Sequence, residues 1–313
     1  MNLLATLRNR LAWSIRTVLS GSGSRKFAPT PGAPTLLPVG GAAWLVHAEA
    51  SMMVGGIRAL LLQSLHPVAM QGVGEHSDFR ADPLGRLRRT VFFLGTTTYC
   101  ALPEAEAAIE AVRRVHLSVS GVTPDGRDYR ADDPDLLAWV HATEVDSFLE
   151  AFLRFGRPRR RRRMLAPNLP ERTAVAAAVG PIPMADLADR YVAEMATVAE
   201  RLGITEPPRS RAELAAVIDG FGPVVAATDL STEAVYFLRR FPLPPLARLA
   251  YAVLFWAAAG SLPRWAQELH GLRCGPLRRG LARPAARAML GVMGWALRNA
   301  PDPEESPQQP PVT

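Results

Sequence analysis

Apolar residues recur every three or four positions along almost the whole chain, and no other feature limits the fold as strongly. Such a period lines up one face of an α-helix, whereas a half-buried strand needs strict alternation. It marks candidate helices at 42–65, 66–76, 83–98, 103–120, 134–155, 183–202, 210–219, 231–240, 245–260 and 281–299. Strand signals are few. No Asn-Gly or Asp-Gly turn is flanked by alternating β-branched residues, although Asp125-Gly126 marks a tight turn. No internal repeat is visible. The expectation is an all-α fold with one large helical domain over 39–300, preceded by an amphipathic helix and flexible linker (1–38) and followed by a disordered tail (301–313). Asp133-Pro134-Asp135 supplies an N-cap, a first-turn proline and an acid, with Gly156 as the stop at the far end. Pro103, Glu104 and Glu106 open the helix that carries His116.

Composition removes several classes of function. Two cysteines, Cys100 and Cys274, cannot build a disulfide framework or a cysteine-rich zinc site, and they suit a reducing, cytoplasmic compartment. The net charge is +7, yet only one of 36 basic residues, Lys26, is lysine. That skew is the mark of a GC-rich genome rather than of selection for phosphate contacts, so no nucleic-acid partner is expected. No run of about 20 uncharged apolar residues is present, which argues against a spanning helix. Leu246 to Ala259 is the most apolar window, too short to span and suited to a buried helix or an interfacial segment. In residues 1–20, Leu3, Leu4, Leu7, Leu11, Ile15 and Leu19 form an apolar stripe, and Arg10 and Arg16 interrupt what a secretory signal would keep apolar. Two readings stand for this helix: packing on the body of the protein, or peripheral contact with a membrane surface. The arginines at 157 and 159–163 read as a solvated loop.

Six histidines are available: His47, His66, His76, His116, His141 and His270. There is no His-Glu-x-x-His, no pair of Glu-x-x-His segments, no Gly-x-Ser-x-Gly, no P-loop and no dinucleotide-binding glycine motif. His116 shares the apolar face of its helix with Ile109, Val112 and Val119. A buried imidazole must satisfy both ring nitrogens, through protein hydrogen bonds or by giving one lone pair to a metal; both outcomes are open on periodicity alone. In the stretch 82–90, Asp82 caps a helix begun by Pro83, and Arg86, Arg89 and Thr90 share one side of it. Two guanidinium groups beside a hydroxyl suit a carboxylated or phosphorylated ligand, or else form a solvated basic face.

Five stretches together resemble the DUF2236 family, the group that contains the catalytic domain of rubber oxygenase and the fungal endoplasmic-reticulum oxygenase of mycophenolic acid biosynthesis. They are 58–67 (Arg-Ala-Leu-Leu-Leu-Gln-Ser-Leu-His-Pro), 72–83 (Gly-Val-Gly-Glu-His-Ser-Asp-Phe-Arg-Ala-Asp-Pro), 86–90 (Arg-Leu-Arg-Arg-Thr), 112–116 (Val-Arg-Arg-Val-His) and 133–143 (Asp-Pro-Asp-Leu-Leu-Ala-Trp-Val-His-Ala-Thr). The likeness is dense from about 42 to 155 and patchy from 184 to 272. The resemblance implies an all-helical shell around one haem b, with His116 as the iron ligand. Arg86, Arg89 and Thr90 would lie over the cofactor, and Arg86, Arg89 or Arg113 would pair with its propionates. Arg89 stands where rubber oxygenase has lysine. A neutral amine can ligate iron but a guanidinium stays protonated, so the expected role of Arg89 is hydrogen bonding. The catalytic carboxylate of rubber oxygenase has no clear counterpart: Met70 falls at its simple spacing, and Glu75 only with a gap. Residues 157–182 look like an insertion, and Phe221-Gly222-Pro223-Val224 replaces the Arg-Pro-Glu-Leu of many relatives. The implied function is a haem-dependent oxygenase that uses O₂ on a lipophilic, isoprenoid-type substrate, with Arg89, Thr90, His76 and Glu75 as its polar groups. Two alternatives are a non-catalytic haem sensor or carrier, and a cofactor-free helical protein acting at a membrane surface.

Overall fold

The computed structural model describes residues 3–20, 27, 29–30, 32–156, 182–243, 245–273 and 275–299. The tail 301–313 and the arginine-rich segment from 157 lie outside them. The all-α expectation holds: thirteen described helices accompany a single two-stranded hairpin. They are α1 (Leu3–Ser20), α2 (Ala42–His47), α3 (Met52–Gln63), α4 (Pro67–His76), α5 (Pro83–Tyr99), α6 (Leu102–Leu117), α7 (Pro134–Phe155), α8 (Met184–Leu202), α9 (Arg211–Gly220), α10 (Asp229–Arg239), α11 (Pro245–Ala259), α12 (Arg264–Leu269) and α13 (Pro276–Asn299). Between α6 and α7, β1 (Ser120–Val122) pairs antiparallel with β2 (Asp128–Arg130). No helix of the described residues is long and apolar enough to cross a membrane.

The helix starts follow from cap chemistry. Asp82 accepts from the Gly85 amide at 2.8 Å, Asp133 from Asp135 at 2.8 Å, and His66 Nδ1 from Ala69 at 3.3 Å, each just ahead of a first-turn proline. The start of α2 is capped from afar, because the Glu194 carboxylate on α8 accepts from the amides of Ala42 and Ala43 at 2.9 and 2.7 Å. Gly41 permits that approach: a Cβ there would stand 2.6 Å from Glu194 Oε1.

The centre of the molecule is the crossing of α3 and α7. A Cβ on Gly55 would fall 2.7 Å from Phe148 Cδ1 and 3.1 Å from its Cα, so the missing side chain sets how closely the helices approach. Gly55→Ala is expected to destabilise by about 1–3 kcal/mol through overpacking, measured as a lowered urea midpoint with unchanged slope. On one side, α2, α6, α8 and α9 close a core around Trp139, Leu149 and Tyr191. On the other, α11, α12 and α13 close a second core around Leu61, Leu62, Phe255 and Leu290. Met70, Phe79 and Ala234 join α4 to α10.

Several elements differ from the sequence reading: the last helix begins at Pro276 rather than 281, and α12 was not expected. The helix expected over 42–65 breaks at 48–51, where His47 is anchored to Thr98 and Tyr191 and α3 starts afresh after buried Ser51. Tertiary anchoring overrides local helix propensity there. The helix expected to reach 120 stops at Leu117, because Ser120 begins the hairpin, whose turn includes Gly126 at φ 85°. Of the two readings for residues 1–20, packing is what the inner face shows: Ala12 and Ile15 are buried against the body, and Arg88 Nη2 donates to the Thr17 carbonyl at 3.0 Å. The arm that follows is also pinned in places. Phe27 packs on Gly95, and Leu102 N donates to Pro34 O at 2.7 Å.

Candidate functional site

Helices α5 and α6 form an antiparallel hairpin about the connection at 100–101. Arg86 stands fourteen residues before Cys100 and His116 fourteen after Leu102. At ~1.5 Å per residue both lie about 21 Å from the turn, so Arg86, Arg89 and Thr90 share a level with Arg113 and His116. Five of the seven site residues expected from sequence therefore gather on one pair of helices.

His116 is half-buried, and among the described residues neither ring nitrogen meets a protein hydrogen-bond partner. Burial lowers its pKa, with Asp132 opposing from the loop after β2, so the ring is neutral near pH 7 and one nitrogen carries a lone pair. Arg86 is also half-buried, and no carboxylate or carbonyl among the described residues meets its guanidinium. Burial lowers its pKa, and the like charge of Arg89 adds to the effect. Arg89 is exposed and lies 3.8 Å from Asp82. Thr90 Oγ1 donates back to the Arg86 carbonyl at 3.2 Å, which leaves its acceptor lone pairs outward. Arg113 is exposed.

Glu75 and His76 belong to a second cluster, on α4. The Tyr129 hydroxyl, from β2, donates a short hydrogen bond to Glu75 Oε2 and lies 3.1 Å from His76 Nε2. Gln71 Nε2 donates to Glu75 Oε1 at 2.6 Å, and these two bonds hold the Glu75 carboxyl below its ordinary pKa. Burial, then the bond to Glu75, pushes the Tyr129 phenol up to about 12. Its ring is seated between two glycines, where a Cβ would stand 3.3 Å away on Gly72 and 2.6 Å from the hydroxyl on Gly121. Sequence reasoning missed Tyr129; the two glycines were its only trace, and their joint meaning depends on a pairing across the fold.

A third polar group sits inside the first core. His47 Nδ1 pairs with Thr98 Oγ1 at 2.8 Å and Nε2 with the Tyr191 hydroxyl at 3.0 Å. Burial pushes His47 down to about 3 and His141 down to about 4, and pushes Glu144, one turn along α7 from His141, up to about 7. Glu144, then Glu194, raises the Tyr191 phenol further after burial has done so. Among the described residues no three His, Cys, Asp or Glu side chains converge as a metal cage. A groove of about 490 Å³ between α8 and α9 is lined by Glu200, Pro207, Arg209 and Glu213 among others, and no expected site residue borders it.

The described residues form an all-helical domain. The model of the family described as ER-bound oxygenase mpaB/B'/rubber oxygenase, catalytic domain, matches residues 44–169 and 173–295, and the chain belongs to that family. No curated protein and no solved structure matches it.

Proposed function

We propose that this oxygenase-family domain binds haem b on the α5–α6 hairpin and uses O₂ to oxidise a lipophilic, isoprenoid-type substrate. The observation that carries the reading is a coincidence on one hairpin: a neutral imidazole and a half-buried guanidinium, neither claimed by a protein group among the described residues. An imidazole without hydrogen bonds suits an iron ligand, and an arginine without a carboxylate suits a propionate. Haem b, when bound, supplies the redox centre that activates O₂.

The residues of the chain account for the rest. His116 holds the metal through its lone pair, while the Asp132 carboxylate, fixed by Arg130 at 2.9 Å, adds negative potential beside the ring. Arg86 anchors a propionate, while Phe93 and Leu94 further along α5 pack against the first core. Arg89 and the Thr90 lone pairs are polar contacts for the cofactor, and Tyr129 of β2 holds Glu75 and His76 of α4 in one hydrogen-bonded group.

His116→Ala is expected to cut haem stoichiometry by about 100-fold or more at unchanged helical content, the scale of losing an axial ligand where second-shell changes alone cost about 10–100-fold. Absorption in the Soret region against circular dichroism is the measurement. A wild-type spectrum from this variant would remove His116 from the iron. Oxygen consumption with an alkene substrate then separates an oxygenase from a haem carrier, which binds gas without product.

A further inference from the structure

Chain connectivity puts the group of Glu75, His76 and Tyr129 at the same end of the α5–α6 hairpin as His116. Helix α4 ends at His76 and α5 starts at Pro83, while β1 follows α6 from Ser120. Gly121, the partner of Tyr129 across the strand pair, is five residues beyond His116, a reach of at most about 18 Å.

Proton counting fixes the order of the three side chains. A phenol has one proton, and Tyr129 donates it to Glu75 Oε2. Gln71 donates to the other carboxylate oxygen, so Glu75 is ionised and accepts with both oxygens. The Tyr129 oxygen then has only lone pairs to offer His76 Nε2, 3.1 Å away, and that nitrogen must be the donor. In the neutral ring this leaves Nδ1 without a proton, and among the described residues no hydrogen-bond partner meets it.

Tyr129 is the rigid member of the group. It is 4% exposed and seated between Gly72 and Gly121, whereas the side chains of His76 and Glu75 are 35% and 42% exposed. A buried ring thus holds two solvent-facing groups in a set order, the arrangement in which a third group orients a base. The end of α4 is held separately: Arg80 Nη1 donates to the Gly74 carbonyl at 3.0 Å, and Arg80 is paired with Glu233 on α10.

We propose that Tyr129 is a positioning residue of the oxygenase reaction, locking His76 so that its bare Nδ1 is the proton acceptor for the substrate. The inference rests on the function proposed for the α5–α6 hairpin. In this step a substrate C–H or O–H bond breaks, its electron pair stays with the substrate, and the proton joins His76 Nδ1. The Nε2–H bond stays on Tyr129, and Glu75 Oε2, 3.9 Å from Nε2, balances the positive ring.

The test uses the full chain with its histidines isotope-labelled on nitrogen, the His76 signals being assigned by their loss in His76→Gln. The neutral wild-type ring is expected to show an N–H resonance on Nε2, protected by the bond to Tyr129, and an unprotonated Nδ1. Tyr129→Phe keeps the ring between its glycines but removes the hydroxyl, so this resonance should be lost to exchange with water. Turnover is read as alkene-dependent oxygen consumption. His76→Gln is expected to lower kcat by about 100-fold or more, the scale of a general base, and Tyr129→Phe by a smaller factor, both at unchanged KM and Soret absorption. Tyr129→Phe should add nothing in the His76→Gln background, because the phenol acts through that ring. The proposal fails if His76 carries its proton on Nδ1, if the Nε2–H resonance survives in Tyr129→Phe, or if that variant turns over like the wild type. It also fails if the phenylalanine costs as much in the His76→Gln background as in the wild type, the mark of a structural role. A wild type with no Soret absorption and no oxygen uptake overturns the function on which the proposal rests. The ring spectrum, which needs no cofactor, tells that failure from an error about Tyr129.

Discussion

Arg58→Ala is expected to lower the unfolding free energy by about 3–5 kcal/mol, read as the urea midpoint at constant slope. Arg58 is almost wholly buried in α3, where Nη1 lies 2.7 Å from Asp146 Oδ2 and 2.8 Å from Ser147 Oγ on α7, while Nε donates to the Ser261 carbonyl at 3.3 Å. One guanidinium therefore ties the central helix pair to the turn that follows α11. Its removal leaves a carboxylate, a buried hydroxyl and a buried carbonyl without their donor, and opens a cavity of side-chain size. Asp146 keeps 23% of its side-chain exposure, so water can reach it and the loss should fall toward the lower end of that range. The pair of Arg80 and Glu233 makes a useful contrast. Its contacts are 2.6 Å and bidentate, but both side chains are more than a third exposed, and Arg80→Ala should cost no more than about 1 kcal/mol. Distance alone would rank the second pair higher; burial reverses the order. Equal losses from the two variants would show that the α3–α7 crossing does not depend on the Arg58 bridge.

The same contrast between local and distant causes explains what was legible in the sequence. Caps and helix faces were, because their physics acts over three or four residues: Asp82-Pro83 and Asp133-Pro134 announce α5 and α7 without help from the rest of the chain. The level pairing of Arg86 with His116 was partly legible, since a short connection between two amphipathic helices makes them antiparallel. The break after α2 was not. It depends on His47 finding Thr98 and Tyr191, partners 51 and 144 residues away. Tyr129 was hidden for the same reason, as its contacts with Gly72, Glu75 and His76 cross more than fifty residues. The acid Glu144 was visible only as a residue four positions from Val140, with nothing nearby in sequence to show how far the folded chain would take it from water.

That desolvation gives a pH dependence with a definite sign. Folded Glu144 keeps its proton up to about pH 7, whereas the unfolded chain releases it above 4.5, so stability falls as pH rises through this window. The slope is about 1.4 kcal/mol per pH unit, and the accumulated loss above pH 7 is about 3–4 kcal/mol. His47 and His141 act in the opposite direction. The unfolded chain protonates them below 6.5, but the folded protein resists to about 3 and 4, so each removes a similar amount per unit as pH falls. Between 4.5 and 6.5 two histidines oppose one acid. The histidines win, and these three groups together remove about 1.4 kcal/mol per unit on acidification, with their greatest contribution near pH 6.5; the lowered His66, His116 and His270 act in the same direction. Glu144→Gln removes only the opposing arm. The variant should match the wild type near pH 4.5, rise about 1.4 kcal/mol per unit more steeply up to 6.5, and exceed its stability by about 3–4 kcal/mol at pH 8. Urea unfolding at those three pH values measures all of this. Parallel curves for the two proteins would mean that Glu144 is ionised in the folded state, and that the polar group around Tyr191 holds a negative charge rather than a proton.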